Sequence, residues 1–499
     1  MSISEKNIRN VFYYTIPNFV HYGLNFISLP ILTRLLNPDD FGVAALTMAV
    51  PPIAVGVLTF GAVASVPRYY FEFRKEEHKL NMLYFSMQVY LFVMLAFSAV
   101  IVYVFKHDIA RLITGTPQYG MAFFVAFLTL YIGQMNIIYL RIYQNREEAI
   151  HHTVFVLIQG VTSPIASLLF VWYFKLSYMG LLWGFLVGAV AAWIPTIIHF
   201  NRGREYVFNK HILLENMKYG IQIIPKSFTG FINKFFDKYM LNNMLSMSVV
   251  GVFSIGQQIA HVFDLVMDKL FMSLQPVYFR AVFDRGNLAS KETGRIFTVF
   301  FYVSVFVIIL GILFAREILY VIAPASYQGA IKVVVILAAG ITTQTFGKYV
   351  SVQYAYKKKP IWVLPVSVIG TIINVGLNIV LIPRYGLIGA AYATVFSMVI
   401  MNIALVMIGQ RLYKIDYEWR AILFLYAIVI MAIAYELYFR VFIHNLMHSV
   451  LLRMIVILLY ILIGIKIGLL SQRGVKKVVH AFMVFKRANV VEKFEGNAN

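Results

Sequence analysis

The stretch Tyr219–Met240, YGIQIIPKSFTGFINKFFDKYM, decides how the rest of this chain is interpreted. It is long enough to cross a bilayer, because about 20 helical residues span the hydrocarbon core. It nevertheless carries four charged residues, which are Lys226, Lys234, Asp237 and Lys238. Charges at membrane depth are costly and normally face the interior of a helix bundle or a water-filled cavity. The stretch therefore predicts a transmembrane helix with a functional polar side.

Four polar side chains of this helix are predicted to share one face. Gln222, Lys226, Asn233 and Asp237 fall within about 80° of one another at helical spacing. A single wet face on an apolar helix is typical of a translocation path. Two other interpretations stay open at this point. The segment could lie flat among lipid headgroups, or its charges could form an ion pair that joins two helices.

The composition predicts a polytopic membrane protein. Of the 499 residues, 60% are hydrophobic and 13% are charged, whereas soluble domains contain about 25% charged residues. Apolar runs of about 20 residues recur from end to end, which is the pattern of transmembrane helices. The net charge of +21 would suggest nucleic acid for a soluble protein, but cytoplasmic loops of membrane proteins carry an excess of Lys and Arg. The absence of cysteine excludes disulfides, thiolate nucleophiles and cysteine metal sites.

The apolar runs predict about 14 transmembrane helices. The predicted spans are 10–33, 41–66, 80–105, 120–142, 151–174, 179–200, 217–241, 247–273, 296–315, 330–355, 361–382, 387–409, 419–439 and 450–470. The first apolar segment has no small-residue cleavage site after it and is expected to be retained as a span. Basic residues collect in alternate connections and in the tail after Ser471, so both termini are expected in the cytoplasm.

The chain contains an internal repeat. Pro17 matches Pro225, and Gly42 matches Gly251, at an offset of about 209 residues. Similar offsets relate four further glycines, in the pairs Gly160 with Gly370 and Gly180 with Gly389. The offset covers six spans, an even number, so the two halves are expected to share one orientation and to handle substrate at their interface.

This repeat predicts four regions. An N-terminal lobe covers residues 1–205 (spans 1–6), and a C-terminal lobe covers residues 206–412 (spans 7–12). Spans 13 and 14, residues 413–472, lie outside the duplication, and residues 473–499 form a basic cytoplasmic tail. The predicted fold is therefore an all-α polytopic membrane protein with two pseudo-symmetric six-helix lobes and two extra C-terminal helices.

Motifs of soluble enzymes are absent from the sequence. The stretch GITTQTFGK, which ends at Lys348, lacks the GxxxxGK spacing of a phosphate-binding loop and lies in an apolar span. His151 and His152 are adjacent and would point to different helix faces, which argues against a metal site. The sequence contains no GxSxG or HExxH motif. ATP coupling would therefore have to come from another chain.

Polar residues at membrane depth are the candidate functional residues. Lys and Arg pair with phosphate oxygens, so a cationic cavity would suit an anionic substrate. Acidic residues and histidine in a membrane can titrate near neutral pH and carry a coupling proton. An ion pair between Lys226 and Asp264 is an equally weighted structural alternative. The predicted substrate-binding residues are Lys226, Lys348, Arg34, Lys234, Asn233 and Arg141; the predicted ion-coupling or gating residues are Asp264, His261, Asp237 and Asp268.

Two motifs resemble a known family. The pattern LPILTRLLNPDDFGVAAL, Leu29–Leu46, is similar to the start of bacterial polysaccharide-biosynthesis flippases, and LIPRYGLIGAAYAT, Leu381–Thr394, is similar to their span 11–12 junction. These flippases belong to the multidrug/oligosaccharidyl-lipid/polysaccharide exporter superfamily, whose multidrug members give the fold its name, MATE-like. The resemblance covers essentially the whole chain.

The resemblance implies a two-lobed transporter in the bacterial inner membrane. It would move an undecaprenyl-diphosphate-linked oligosaccharide from the inner to the outer leaflet by alternating access, for O-antigen, capsule or exopolysaccharide synthesis. It implies no cofactor other than a coupling ion, H⁺ or Na⁺, and it adds Lys269 to the basic residues around the path. A polysaccharide polymerase and a chain-length regulator are the implied partner proteins.

The sequence leaves two alternative functions open. A multidrug cation antiporter of the same fold would prefer an acidic, aromatic cavity, whereas the deep charges here include several lysines. A polytopic membrane polymerase or ligase would need a sizeable outer loop, and the outer connections of this chain are short.

Overall fold

The computed structural model describes residues 5–222, 224–439 and 446–466, and these residues are helical with short connections and no strand. Each of the predicted spans overlaps a helix. The helices are α1 (Glu5–Leu35), α2 (Pro38–Ala49), α3 (Pro51–Leu58), α4 (Ala62–Phe73), α5 (Glu77–Val104), α6 (Lys106–Thr114), α7 (Gly120–Asn145), α8 (Ala149–Trp172), α9 (Ser177–Asn201), α10 (Lys210–Ile221), α11 (Ile224–Met244), α12 (Met247–Arg285), α13 (Ser290–Leu313), α14 (Ala315–Ile322), α15 (Ala330–Tyr356), α16 (Val363–Tyr385), α17 (Leu387–Leu412), α18 (Trp419–Ala434) and α19 (Leu446–Lys466).

The chain is a multi-pass membrane protein. Among the described residues, 10 helical regions are long and apolar enough to cross a membrane, and one of them, Met247–Leu313, contains two predicted spans. The described residues of the predicted spans 10–33, 217–241 and 450–470 are largely helical but do not belong to these regions. The charged residues that make the span at 217–241 a candidate site also keep it out of the set of apolar membrane-crossing regions.

Two predicted spans are broken, for reasons visible in the sequence. The span at 41–66 becomes α2, α3 and α4, because Pro51 and Pro52 start a new helix and Gly61 adopts a left-handed φ of +64°. The span at 217–241 becomes α10 and α11, with Pro225 in the first turn of α11. Proline fits the first turn of a helix because it lacks an N–H that would be unpaired there. The predicted bend near Pro17 is not a break, since α1 runs through it.

The internal repeat is visible in the order of elements. The short helix α6 is followed by a 3₁₀ turn, Pro117–Tyr119, and then by the long helix α7. About 208 residues later, α14 is followed by a 3₁₀ turn, Ala325–Tyr327, and by the long helix α15. This series of a short helix, a 3₁₀ turn and a long helix therefore occurs twice in the chain at nearly the offset of the sequence repeat.

The helices form two compact units, which do not follow the predicted lobe boundary at residue 205. Unit 1 contains Met1–Gln258, Arg316–Val333 and Val363–Ser397. Unit 2 contains Ile259–Ala315, Val334–Trp362 and Met398–Asn499. The division into lobes rests on the repeat and stays a prediction.

Small residues hold the helices of unit 1 close together. A Cβ added to Gly180 on α9 would lie 2.8 Å from Val171 on α8, and one added to Gly188 would lie 2.8 Å from the Cα of Ser163. Such small-residue contacts let helix backbones approach in a membrane, where they replace the hydrophobic driving force available in water.

In unit 2 the C-terminal helix α19 is attached to α13 by a pair of tyrosines. The rings of Tyr302 and Tyr460 stack with centroids 4.6 Å apart. The Tyr302 hydroxyl donates to the Tyr460 carbonyl at 3.0 Å, and the Tyr460 hydroxyl donates to the Tyr302 carbonyl at 2.7 Å. Both side chains are buried. The described part of the predicted span 450–470 is thus docked on unit 2 by paired hydrogen bonds.

Candidate functional site

Unit 1 contains a buried carboxylate, Asp237, surrounded by polar side chains. Asp237 lies on α11 and is 2% exposed. Asn378 of α16 donates to its Oδ1 at 2.7 Å, and Thr394 of α17 donates to its Oδ2 at 3.2 Å. Three helices therefore converge on one acidic group in an otherwise apolar environment.

The polar cluster continues away from the carboxylate. Asn378 also donates to the Oδ1 of Asn374 at 3.3 Å, and Asn374 donates to the Ser397 hydroxyl at 3.4 Å. The side-chain oxygen of Asn378, which is 0% exposed, has no hydrogen-bond partner among the described residues. A buried acceptor left unpaired is costly unless a proton or a cation satisfies it.

The donor set of this cluster fits a hard cation or a proton. Its free and shared acceptors are carboxylate, amide and hydroxyl oxygens, the ligands that hard cations prefer. No group of three or more His, Cys, Asp or Glu suited to a multivalent metal occurs in the described ranges. Asp237 therefore lies among amide and hydroxyl groups, and its role in ion coupling stays a prediction.

The other polar residues of α11 differ in their relation to this cluster. Lys238, the neighbour of Asp237 in sequence, is half-buried and interacts electrostatically with the carboxylate. The Lys234 side chain is exposed, and Asn233 is half-buried with an Oδ1 that has no hydrogen-bond partner among the described residues.

The predicted shared face of Gln222, Lys226, Asn233 and Asp237 does not include Gln222, because this residue is the C-cap of α10 and lies outside α11. Lys226 lies on α11, but its side chain is outside the described part of the structure. Of the two remaining members, Asp237 alone is buried.

An apolar crevice runs beside the carboxylate, between α11 and α16. It has a volume of about 640 Å³ and is formed by the segments Ile224–Ile232 and Val368–Val375. The side chains of Val368 and Ile372 at its rim are exposed. The helices that hold Asp237 and Asn378 thus also form an apolar groove with exposed side chains.

Unit 2 contains a second charged cluster, centred on Lys348 of α15. The Lys348 Nζ lies 2.6 Å from Asp264 Oδ1 and 2.6 Å from Asp268 Oδ1, both on α12. His261, one turn earlier on α12, has its Nδ1 3.8 Å from Asp264 Oδ2. The Lys348 side chain is 16% exposed, whereas that of Asp268 is 48% exposed. One ammonium group is therefore held between two carboxylates at the edge of solvent.

The expected ion pair between Lys226 and Asp264 stays a prediction, because the Lys226 side chain is outside the described part of the structure. The described partner of Asp264 is Lys348. Asp264 and Asp268 are four residues apart on α12, so they share one helix face and both contact a single lysine. The single positive charge of Lys348 therefore faces two carboxylates in this conformation.

The remaining basic candidates lie at surfaces. Arg34 is exposed and donates to the carbonyls of Pro30 at 2.6 Å and Val321 at 3.2 Å. Arg141 is exposed and donates to Gln144 at 3.0 Å. Lys269 is exposed. Their predicted contact with substrate stays a prediction.

Sequence reasoning missed the partners of Asp237. Asn374 and Asn378 are four residues apart on α16, and Thr394 and Ser397 are three residues apart on α17. Polar residues at this spacing in an apolar span share one helix face. This spacing is visible in the sequence, but it does not show that the polar faces of α16 and α17 both contact α11.

Comparison with known proteins agrees with this architecture. A sequence model of the family described as "Polysaccharide biosynthesis protein" matches residues 8–282. No curated protein matches the chain by sequence.

Several solved membrane proteins share the fold. The structure of "Lipid II flippase MurJ" in an inward closed conformation is similar with a TM-score of 0.70 and 14% identity, over 91% of this chain and 99% of that one. An inward-facing multidrug resistance MATE family transporter of the MOP superfamily is similar with a TM-score of 0.61 and 14% identity, over 81% and 98%. A MATE transporter of Vibrio cholerae has a TM-score of 0.56 and 15% identity, over 81% and 96%. The predicted MATE-like all-α fold is confirmed.

Proposed function

Because the chain belongs to the polysaccharide biosynthesis protein family, we propose that it is a flippase for undecaprenyl-diphosphate-linked oligosaccharide repeat units. The family match over more than half of the chain is the observation that carries this proposal. The fold supports a membrane transporter, since it is shared with a lipid II flippase and with multidrug transporters. The protein would act in the bacterial inner membrane, with both termini in the cytoplasm, to supply surface polysaccharide synthesis.

The lysine between two carboxylates supports a mechanism for binding the diphosphate. Lys348 can exchange its carboxylate partners for phosphate oxygens, which form comparably strong charge-assisted hydrogen bonds. That exchange leaves Asp264 and Asp268 without their cation. A proton or Na⁺ taken up beside them compensates the charge, and His261 is placed to pass a proton to Asp264. Substrate binding and ion uptake would then be linked at one cluster.

The Asp237 cluster supports a second role for the coupling ion. Asp237, Asn378 and Thr394 belong to three different helices of unit 1, so a change in the carboxylate's charge alters the contacts that hold those helices together. Binding of H⁺ or Na⁺ there would bias the transporter between conformations. The adjacent groove between α11 and α16 is suited to the isoprenoid chain of the substrate, since its lining is apolar.

Reconstitution tests the proposed function. Purified protein in liposomes, supplied with a fluorescent polyprenyl-diphosphate oligosaccharide, should move the glycan between leaflets faster than empty liposomes. Lys348→Glu and Lys226→Glu should abolish this movement, because each replaces a cation with a repelling charge. Lys414→Glu is the matched control, since Lys414 is 83% exposed and its carboxylate contact, with Asp416, is 3.9 Å long. Equal movement by wild type and Lys348→Glu would overturn the proposal.

The rival functions give different results in matched assays. A multidrug antiporter should export a cationic dye, and Lys348→Glu should leave that export intact or raise it. A polymerase or ligase should produce longer glycans from the same substrate in detergent. A polysaccharide polymerase and a chain-length regulator are proposed as partners, to be tested by co-purification from a native membrane.

A further inference from the structure

Two arginines and a tyrosine meet at one end of unit 1. Arg146 follows α7, Arg204 follows α9, and Tyr84 lies in the first turns of α5. The guanidinium carbons of Arg146 and Arg204 lie 5.9 and 5.3 Å from the centroid of the Tyr84 ring. This end contains the loop charges that the sequence predicts to face the cytoplasm.

The scaffold fixes the two guanidinium groups in place. Arg204 also lies over the Phe200 ring at 4.1 Å, and it donates to the Phe200 carbonyl at 2.5 Å and to Asn81 at 3.2 Å. Arg146 is 22% exposed, and its Nη1 is 3.9 Å from Glu148, which also contacts His151 at 3.2 Å. Glu148 is therefore the carboxylate that offsets the charge of both Arg146 and Arg204, and it is not in close contact with Arg146.

The arrangement is electrostatically incomplete. Burial lowers the pKa of Arg204, and the neighbouring charge of Arg146 lowers it further. The Tyr84 side chain is buried at 5% exposure, and Arg146 lies close enough to interact with its hydroxyl. Two positive groups held on one ring share Glu148 as a carboxylate, so their charge is only partly neutralised.

We propose that Arg146, Arg204 and Tyr84 bind the phosphate headgroup of an anionic phospholipid in the cytoplasmic leaflet. A phosphodiester supplies two charged oxygens, which suit guanidinium donors. Arg146 and Arg204 follow the last residues of α7 and α9, and Tyr84 lies near the start of α5. The cytoplasmic leaflet is rich in anionic lipids, and basic pockets between helices on that side bind such headgroups. The proposal uses none of the residues assigned above to the substrate or the coupling ion.

The test compares lipids on the purified full-length protein in neutral detergent. Phosphatidylglycerol should raise the unfolding temperature and remain bound in native mass spectrometry, whereas phosphatidylethanolamine and inorganic phosphate at equal ionic strength should do neither. Arg146→Gln and Arg204→Gln should each weaken phosphatidylglycerol binding about tenfold, the effect of losing one charge-assisted hydrogen bond. Arg68→Gln is the control, because Arg68 also lies on a tyrosine ring, that of Tyr219 at 4.2 Å, but as a single arginine.

Tyr84→Phe separates binding from a purely structural role. Without lipid this variant should unfold close to the wild-type temperature, since the ring that holds both arginines is kept. With phosphatidylglycerol it should bind about threefold more weakly than wild type, the loss expected for one neutral hydrogen bond.

Three results would overturn the proposal. They are equal responses of the wild type to phosphatidylglycerol and phosphatidylethanolamine, a response to inorganic phosphate alone, and wild-type binding by the Arg146→Gln variant. Arg146 and Tyr84 donate no described side-chain hydrogen bond to the backbone, so their variants remain informative if Arg204→Gln fails to fold.

Discussion

The backbones of Gly42 and Gly251, two equivalent glycines of the internal repeat, lie in direct contact. A Cβ on Gly251 would be 3.0 Å from the nitrogen of Gly42 and 2.8 Å from the carbonyl carbon of Pro38. A Cβ on Gly42 would be 2.9 Å from the carbonyl carbon of Met247. Helices α2 and α12 therefore cross at their N-terminal ends with no room for a side chain on either.

Gly251→Ala should destabilise the protein by about 3 kcal/mol or more, because overpacking against backbone cannot be relieved by a rotamer change. Thermal unfolding in detergent measures the loss. Gly376→Ala is the control, since Gly376 has open space around it and alanine is the better helix former by about 1 kcal/mol. Equal unfolding temperatures for Gly251→Ala and wild type would show that the helices separate readily.

Asp237→Asn should reduce ion-coupled transport at least tenfold while the protein remains folded. Asparagine is nearly isosteric with aspartate but can neither hold a negative charge nor release a proton. The measurement is substrate flux in liposomes under an imposed Na⁺ or pH gradient, and the gradient that drives the wild type identifies the ion. Asp108→Asn serves as the control, because Asp108 is 68% exposed beside Arg111. Flux within twofold of wild type for Asp237→Asn would remove this residue from the coupling mechanism.

The Lys348–Asp264 pair should show strong energetic coupling. Lys348→Gln leaves two carboxylates one turn apart without their cation and should cost about 2 kcal/mol, between the values for exposed and buried pairs. Asp264→Asn alone should cost less, because Asp268 still holds the lysine. The double variant should be more stable than the sum of the single losses predicts, as a double-mutant cycle in urea would reveal. Simple additivity would mean that the contact contributes nothing to stability.

The natural absence of cysteine permits a direct test of topology. His211→Cys introduces a thiol at a position with an 82% exposed side chain, in the first turn of α10. Gln118→Cys introduces one in the exposed turn between α6 and α7. In right-side-out vesicles a membrane-impermeant maleimide should label the second variant at once and the first only after permeabilisation. The opposite pattern would reverse the predicted orientation.

The helices were predictable from sequence because an apolar run of about 20 residues has few other stable conformations in a bilayer. The breaks were only partly predictable. Pro51 and Pro52 do separate α2 from α3, whereas α1 continues through Pro17. Proline is tolerated inside membrane helices where neighbouring groups satisfy the freed carbonyl. A sequence does not show which neighbours will be available.

The candidate sites were predicted as separate residues and not as clusters. Asp237, Asp264, Asp268 and Lys348 were selected because charge at membrane depth is costly. Helical spacing correctly placed Asp264 and Asp268 on one face. It could not choose Lys348 as their partner, since pairing between helices depends on packing. The arginines beside Tyr84 were counted only as loop charges that set orientation.

The buried position of Asp237 also constrains how the protein is synthesised and inserted. Its partners Asn378 and Thr394 follow it by 141 and 157 residues, so translation at about 5–20 residues per second separates them by roughly 10–30 s. An ionised aspartate at the bilayer centre costs about 3 kcal/mol on insertion scales. The nascent chain must therefore keep this carboxyl protonated or hydrated until α16 and α17 emerge from the ribosome. The timing of membrane insertion is thus constrained by a contact that only the finished protein can make.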